Sequence, residues 1–109
     1  MKKIYYNKLI RDRIPEVITQ KGGKYETRVL LKKDFEKELK KKLLEESKEI
    51  LEAPKKELIN ELSDVLEIVK SIASLYKINF KDVEKYQIKK RKERGGFIKR
   101  LFLIWSSDK

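Results

Sequence analysis

Two pairs of acids hold most of the chemistry available to this sequence. The first lies in Leu43-Leu44-Glu45-Glu46-Ser47-Lys48-Glu49-Ile50, the second in Asn60-Glu61-Leu62-Ser63-Asp64-Val65-Leu66-Glu67. Glu46 with Glu49, and Glu61 with Asp64, stand at i and i+3, which puts both members of a pair on one helical face. If the two helices pack, four carboxylates converge on one small volume. Two carboxylates about 5 Å apart repel by roughly 3 kcal/mol at an effective dielectric of about 20. Four of them, partly desolvated, do not all stay ionised without a counter-charge. Some stay protonated, or lysine and arginine pair with them, or a divalent cation binds.

The composition narrows that choice. There are no cysteines and no histidines. Disulfides, thiolate zinc sites and thiol nucleophiles are excluded, as are imidazole acid–base chemistry and Ser-His-Asp triads. Oxygen-only ligands suit a hard cation, magnesium or manganese. Such a cation in turn wants a phosphate.

The elements that must position these acids are read from periodicity and breakers. Pro15 fits the first turn of a short helix running to about Lys21, where Gly22-Gly23 stops it. Tyr25, Thr27, Val29 and Leu31 alternate as in a strand. A helix is predicted from Lys33 to about Glu52, ended by Pro54. A second long helix runs from about Lys56 to Tyr76. A third opens at Asn79 and Asp82 and closes at Gly95-Gly96. Residues 97–105 read as a second strand able to pair with residues 25–31. At 109 residues the expectation is a single domain over 1–109.

The apolar stripes place the acids. On the first long helix Leu39, Leu43 and Ile50 mark the buried face, and Glu46 falls inside that stripe with Glu49 one step to its side. On the second, Leu58, Leu62, Val65, Val69, Ile72 and Tyr76 are expected to be buried, with Glu61 and Asp64 on the flank near Ile68. Glu36, Glu38, Glu52, Glu57 and Glu67 read as surface charge. The plainer reading of any Glu-x-x-Glu on a Lys-rich helix is a solvated face. Glu46 resists it, because an acid stands where a hydrophobe belongs.

The net charge is +11, from 29 Lys and Arg against 18 Asp and Glu. It points to solubility and to phosphate-bearing partners, either a nucleotide or a nucleic acid. The competing reading is a small basic nucleic-acid-binding or helical interaction module, supported by runs such as Lys89-Lys90-Arg91-Lys92. Against it, the chain has no zinc spacing, no aromatic RNA-binding signature and no helix-turn-helix pattern. Its N-terminus lacks the apolar stretch of a signal peptide, and Leu101 to Trp105 is far too short to span a bilayer. A cytoplasmic protein without membrane contact is the expectation.

The acids sit within a wider pattern. Glu45-Glu46-x-x-Glu49 followed by Glu61-x-x-Asp64 resembles the signature of the all-α nucleoside triphosphate pyrophosphohydrolases, the MazG-like superfamily that includes phosphoribosyl-ATP pyrophosphohydrolase. Tyr6-Asn7-Lys8-Leu9-Ile10-Arg11-Asp12-Arg13-Ile14-Pro15 is similar to the opening of a small house-cleaning subgroup, as is Glu93-Arg94-Gly95-Gly96-Phe97-Ile98-Lys99-Arg100 to its end. The resemblance implies a mainly α fold, a helical bundle of the all-α NTP pyrophosphatase type with a small two-stranded β element.

It also implies hydrolysis of the α–β phosphoanhydride of a nucleoside triphosphate to the monophosphate and pyrophosphate. Glu46, Glu49, Glu61 and Asp64 would bind Mg²⁺, with Mn²⁺ as the substitute. Glu46 or Glu49 would accept the proton of the attacking water, and Glu45 would help to position that water. Lys8, Arg11, Arg13 and Arg94, in the resembling segments, are the candidates for holding the triphosphate. One departure stands out: Ser71 occupies a position where relatives often carry Asn. Family members dimerise into bundles, sometimes as tetramers, and three helices with two short strands leave apolar faces that one subunit does not cover. A homo-oligomer is therefore expected.

Overall fold

The computed structural model describes residues 2–107. It contains four helices: α1 (Ile14–Gln20), α2 (Lys32–Glu52), α3 (Leu58–Leu75) and α4 (Phe80–Arg94). A 3₁₀ turn over Lys55–Glu57 leads into α3. The chain divides into two compact units, Met1–Lys77 with α1 to α3 and Ile78–Lys109 with α4.

Local chemistry explains the boundaries. Pro15 occupies the first turn of α1, where the missing N–H costs nothing. The helix gives way at Lys21 to Gly22, whose φ of 80° is left-handed backbone that glycine adopts without strain. Ala53 turns to extended backbone (φ −68°, ψ 137°) because it precedes Pro54, and α2 ends there. Asn79 caps α4 by accepting the Lys81 N–H at 2.9 Å on its side-chain oxygen. Gly95 ends α4, its N–H returning to the Arg91 carbonyl at 2.9 Å.

The first unit is built on the antiparallel α2–α3 hairpin. Its core is small. Leu39 on α2 and Ile68 and Ala73 on α3 are the buried apolar side chains among the described residues. Phe35, Leu43 and Ile50, with Leu58, Val65, Ile72 and Leu75, half-bury around them. At the open end the Tyr76 hydroxyl donates to Glu36, which also takes an ion pair from Lys40 at 3.2 Å. The Lys40 ammonium stands 5.3 Å from the centre of the Tyr76 ring. Glu36 is thus a cross-helix tie and not plain surface charge. The Tyr76 hydrogen bond, then Lys40, holds its carboxyl below the ordinary carboxylate value.

Two expectations need correction. The first is the buried face of α3. Leu62 and Tyr76 are 56% and 44% exposed, while Ile68 is 6% exposed. The helix is turned so that Glu61 and Asp64 lie on the half-buried face, with Val65 and Ile68. Ten of its positions carry apolar residues, distributed nearly all round, so periodicity alone admits more than one inner face. Packing against α2 selects the one that meets Glu46.

The second is the two-stranded β element. No strand forms among the described residues, and the chain there is mainly α. A turn from Phe97 to Arg100, closed at 3.3 Å, breaks the second segment, and Arg100 takes a φ of 56°. Residues 25–31 form no ladder and no regular element, in keeping with the marginal stability of an isolated pair of strands. No helix of the described residues is long and apolar enough to cross a membrane.

Candidate metal centre

The acids meet where the inner rows of α2 and α3 cross. One carboxylate oxygen each from Glu46, Glu61 and Asp64 lies within 4.8 Å of the other two. Glu46 is 9% exposed, the most buried charged residue described. Its Oε2, and Oε2 of Glu61, are buried without a hydrogen-bond partner. Leaving a polar atom in that condition costs stability unless something else satisfies it.

The local electrostatics follow from this crowding. Burial, then the Glu49 carboxyl and Asp64, pushes the Glu46 carboxyl above its ordinary value. Glu61 is raised as well, chiefly by its contact with the Glu49 carboxyl and then by burial and the neighbouring charges. Glu49 is exposed and outside the tight triad, yet it presses on both. All four predicted acids therefore belong to one electrostatic group. The donor set is oxygen only, and it combines three converging carboxylates with two buried orphan oxygens. That combination fits a hard divalent cation such as Mg²⁺ or Mn²⁺.

Two cations border the acids. Arg11 donates from Nη2 to Asp64 Oδ1 at 2.8 Å, joining the opening segment to α3. Lys42 places Nζ 3.8 Å from Glu46 Oε1, one turn earlier on α2. Lys42 was not among the expected site residues, although its i,i+4 spacing from Glu46 was a usable signal.

The other expected residues divide. Lys8 and Glu45 line one hollow of about 180 Å³ between the opening segment and α2, together with Tyr6, Lys41 and Lys42. Lys8 places its ammonium 5.2 Å from the centre of the Tyr6 ring. Because Lys42 borders both, this hollow adjoins the acids. Arg13 is turned to Glu16 at 3.1 Å and takes no part in the cluster. Arg94 is exposed at the end of α4, in the second unit. Ser71 donates its hydroxyl to the Glu67 carbonyl at 2.9 Å, a back-bond within its own helix.

Residues 35–96, more than half of the chain, match the family of MazG nucleotide pyrophosphohydrolase domains. The chain belongs to that family. No curated protein and no solved structure matches it. The matched MazG span takes in α2 from its fourth residue onward and the whole of α3 and α4, hence all four acids, and leaves out the opening segment that carries Lys8, Arg11 and Arg13. Membership favours nucleotide pyrophosphohydrolysis over the basic nucleic-acid-binding reading. Enzymes of the MazG family typically depend on a divalent metal, and the Glu46–Glu61–Asp64 cluster is the group of acids here that suits one.

Proposed function

We propose that this MazG domain, spanning residues 1–109 as one catalytic unit, hydrolyses nucleoside triphosphates at the α–β phosphoanhydride, releasing the monophosphate and pyrophosphate. It works in the cytoplasm on non-canonical nucleotides. The observation that carries the reading is the pair of orphan oxygens on Glu46 and Glu61, buried beside Asp64 in an oxygen-only cluster.

Glu46, Glu49, Glu61 and Asp64 hold Mg²⁺, or Mn²⁺ in its place. When bound, the cation supplies charge neutralisation on phosphate oxygens and lowers the pKa of an attacking water. The chain's own groups do the rest. Glu49, the most accessible of the four, is the carboxylate best placed to accept a proton from water, with Glu46 as the alternative. Glu45 borders the hollow that holds Lys8 and helps to orient that water. Lys8 and Arg11 meet the triphosphate.

The protein acts as a homo-oligomer, a dimer or a tetramer. Leu44 (60% exposed), Leu51 (86%), Ile59 (81%), Leu62 (56%) and Leu66 (47%) support this. Each stands one position after a residue of the inward rows, Leu43, Ile50, Leu58, Glu61 and Val65. In an antiparallel pair, one step of 100° along both helices leads to the same side. The hairpin therefore presents a continuous apolar face that a second copy can cover.

Incubation with Mg²⁺ and a panel of canonical and damaged triphosphates, read out as pyrophosphate, tests the activity. Release that disappears in Glu61→Ala and Asp64→Ala while the helical content is kept supports it. Absence of turnover on every substrate, with tight salt-sensitive binding to nucleic acid, overturns it.

A further inference from the structure

Arg11 reaches the acids from outside the helical hairpin. It lies 53 residues from Asp64 in sequence, yet its guanidinium sits 2.8 Å from Asp64 Oδ1. The backbone that carries it is anchored. The Arg11 carbonyl accepts the Ile14 N–H at 3.1 Å in the turn that opens α1, and Leu9, Ile10 and Ile14 are half-buried. The side chain itself is 56% exposed and has room to swing about that anchor.

The contact serves Asp64 alone. Glu46 Oε2 and Glu61 Oε2 stay buried and unpartnered beside it, so Arg11 compensates the cluster's charge without satisfying its inner oxygens. A divalent cation among those oxygens would satisfy them, at about 2.0–2.6 Å from each ligand. It would also stand next to the guanidinium and repel it. A planar guanidinium released there matches phosphate oxygens with two parallel N–H donors.

We propose that Arg11 is an exchangeable counter-ion of this centre. It balances Asp64 while no divalent cation is bound, yields that contact when the cation arrives, and turns to the phosphates. The proposal rests on the metal-centre reading above, but makes a separate demand on one residue. A fixed arginine that merely orients Asp64 would aid metal binding, whereas an exchangeable one competes with it.

Calorimetric titration of the full chain with Mn²⁺ alone separates the two. Wild type, Arg11→Gln and Arg11→Lys are compared, with circular dichroism to confirm the fold. Arg11→Gln is expected to bind Mn²⁺ about twofold to fivefold more tightly, the range an exposed ion pair commands. Inorganic pyrophosphate titrated onto the Mn²⁺-loaded protein should bind Arg11→Gln about tenfold more weakly, with Arg11→Lys between the two. Equal or weaker Mn²⁺ binding by Arg11→Gln makes the arginine a fixed support and overturns the proposal, as does unchanged pyrophosphate affinity. If wild type binds no Mn²⁺ at all, the metal-centre reading itself fails and takes this one with it.

Discussion

Glu46 and Glu61 meet across the α2–α3 seam, and each keeps one carboxylate oxygen buried and without a hydrogen-bond partner. A hairpin with so few buried apolar residues gains nothing structurally from two such acids at its centre. Their cost to the metal-free fold is measurable, and so is its relief.

The first prediction concerns pH. Both carboxyls are raised above 4.5, the value expected for an exposed glutamate, Glu46 chiefly by burial and Glu61 chiefly by the Glu49 carboxyl. Between 4.5 and their raised values the folded chain binds more protons than the unfolded one. Stability therefore falls as pH rises through that window and stays reduced above it. With a chelator present at pH 7, Glu46→Gln should melt at a higher temperature than wild type and show a shallower decline above pH 4.5. A lower melting temperature for Glu46→Gln under those conditions would contradict this account. Mn²⁺ should raise the melting temperature of wild type and leave that of Glu46→Gln nearly unmoved.

The second concerns activity. Glu61→Gln and Asp64→Asn keep the shape and remove one charge each. Each should lower pyrophosphate release by at least about a hundredfold, since even residues that only support metal ligands cost about 10–100-fold. Retained activity in both would place the reaction elsewhere. Arg13→Gln, which breaks a contact to Glu16 only, should have a much smaller effect in the same assay.

The third concerns the core. Leu39 is 4% exposed at the centre of the hairpin. Leu39→Ala should destabilise by about 2–4 kcal/mol, from lost burial and the cavity left behind. Urea unfolding checks this, and a change under about 1 kcal/mol would mean that the hairpin collapses readily around the gap. Tyr76→Phe should also destabilise, by removing the tie to Glu36, without lowering Mn²⁺ affinity.

The fourth concerns assembly. Leu62→Glu or Leu66→Glu puts a charge in the middle of the exposed apolar face. Light scattering after size exclusion should show a shift to monomer for either variant. A wild-type protein that is already monomeric at micromolar concentration would remove the face from consideration.

Local signals in the chain account for the helices. Pro15, Pro54, Asn79 and Gly95 act within a turn of where they stand, so α1, α2 and α4 begin and end close to their expected positions. The strands failed for the opposite reason. Alternation in residues 25–31 and the apolar run that ends residues 97–105 describe what a ladder would accept, but a ladder needs a partner, and none is formed among the described residues.

For the site, the sequence by itself determined the kind of chemistry. The absence of His and Cys, and the acids at i and i+3, left hard-cation chemistry on carboxylates, and Glu46 announced itself by interrupting an apolar stripe. Tertiary structure decided which groups meet. Helix α3 is apolar on several sides, so only its packing against α2 turned Glu61 and Asp64 inward and left Leu62 and Leu66 outside. The Arg11–Asp64 pair was beyond any spacing rule, because 53 residues separate partners that only the fold brings to 2.8 Å. Periodicity is a property of one helix, whereas a site belongs to the contact between two, and the free energy of that contact is not written along either.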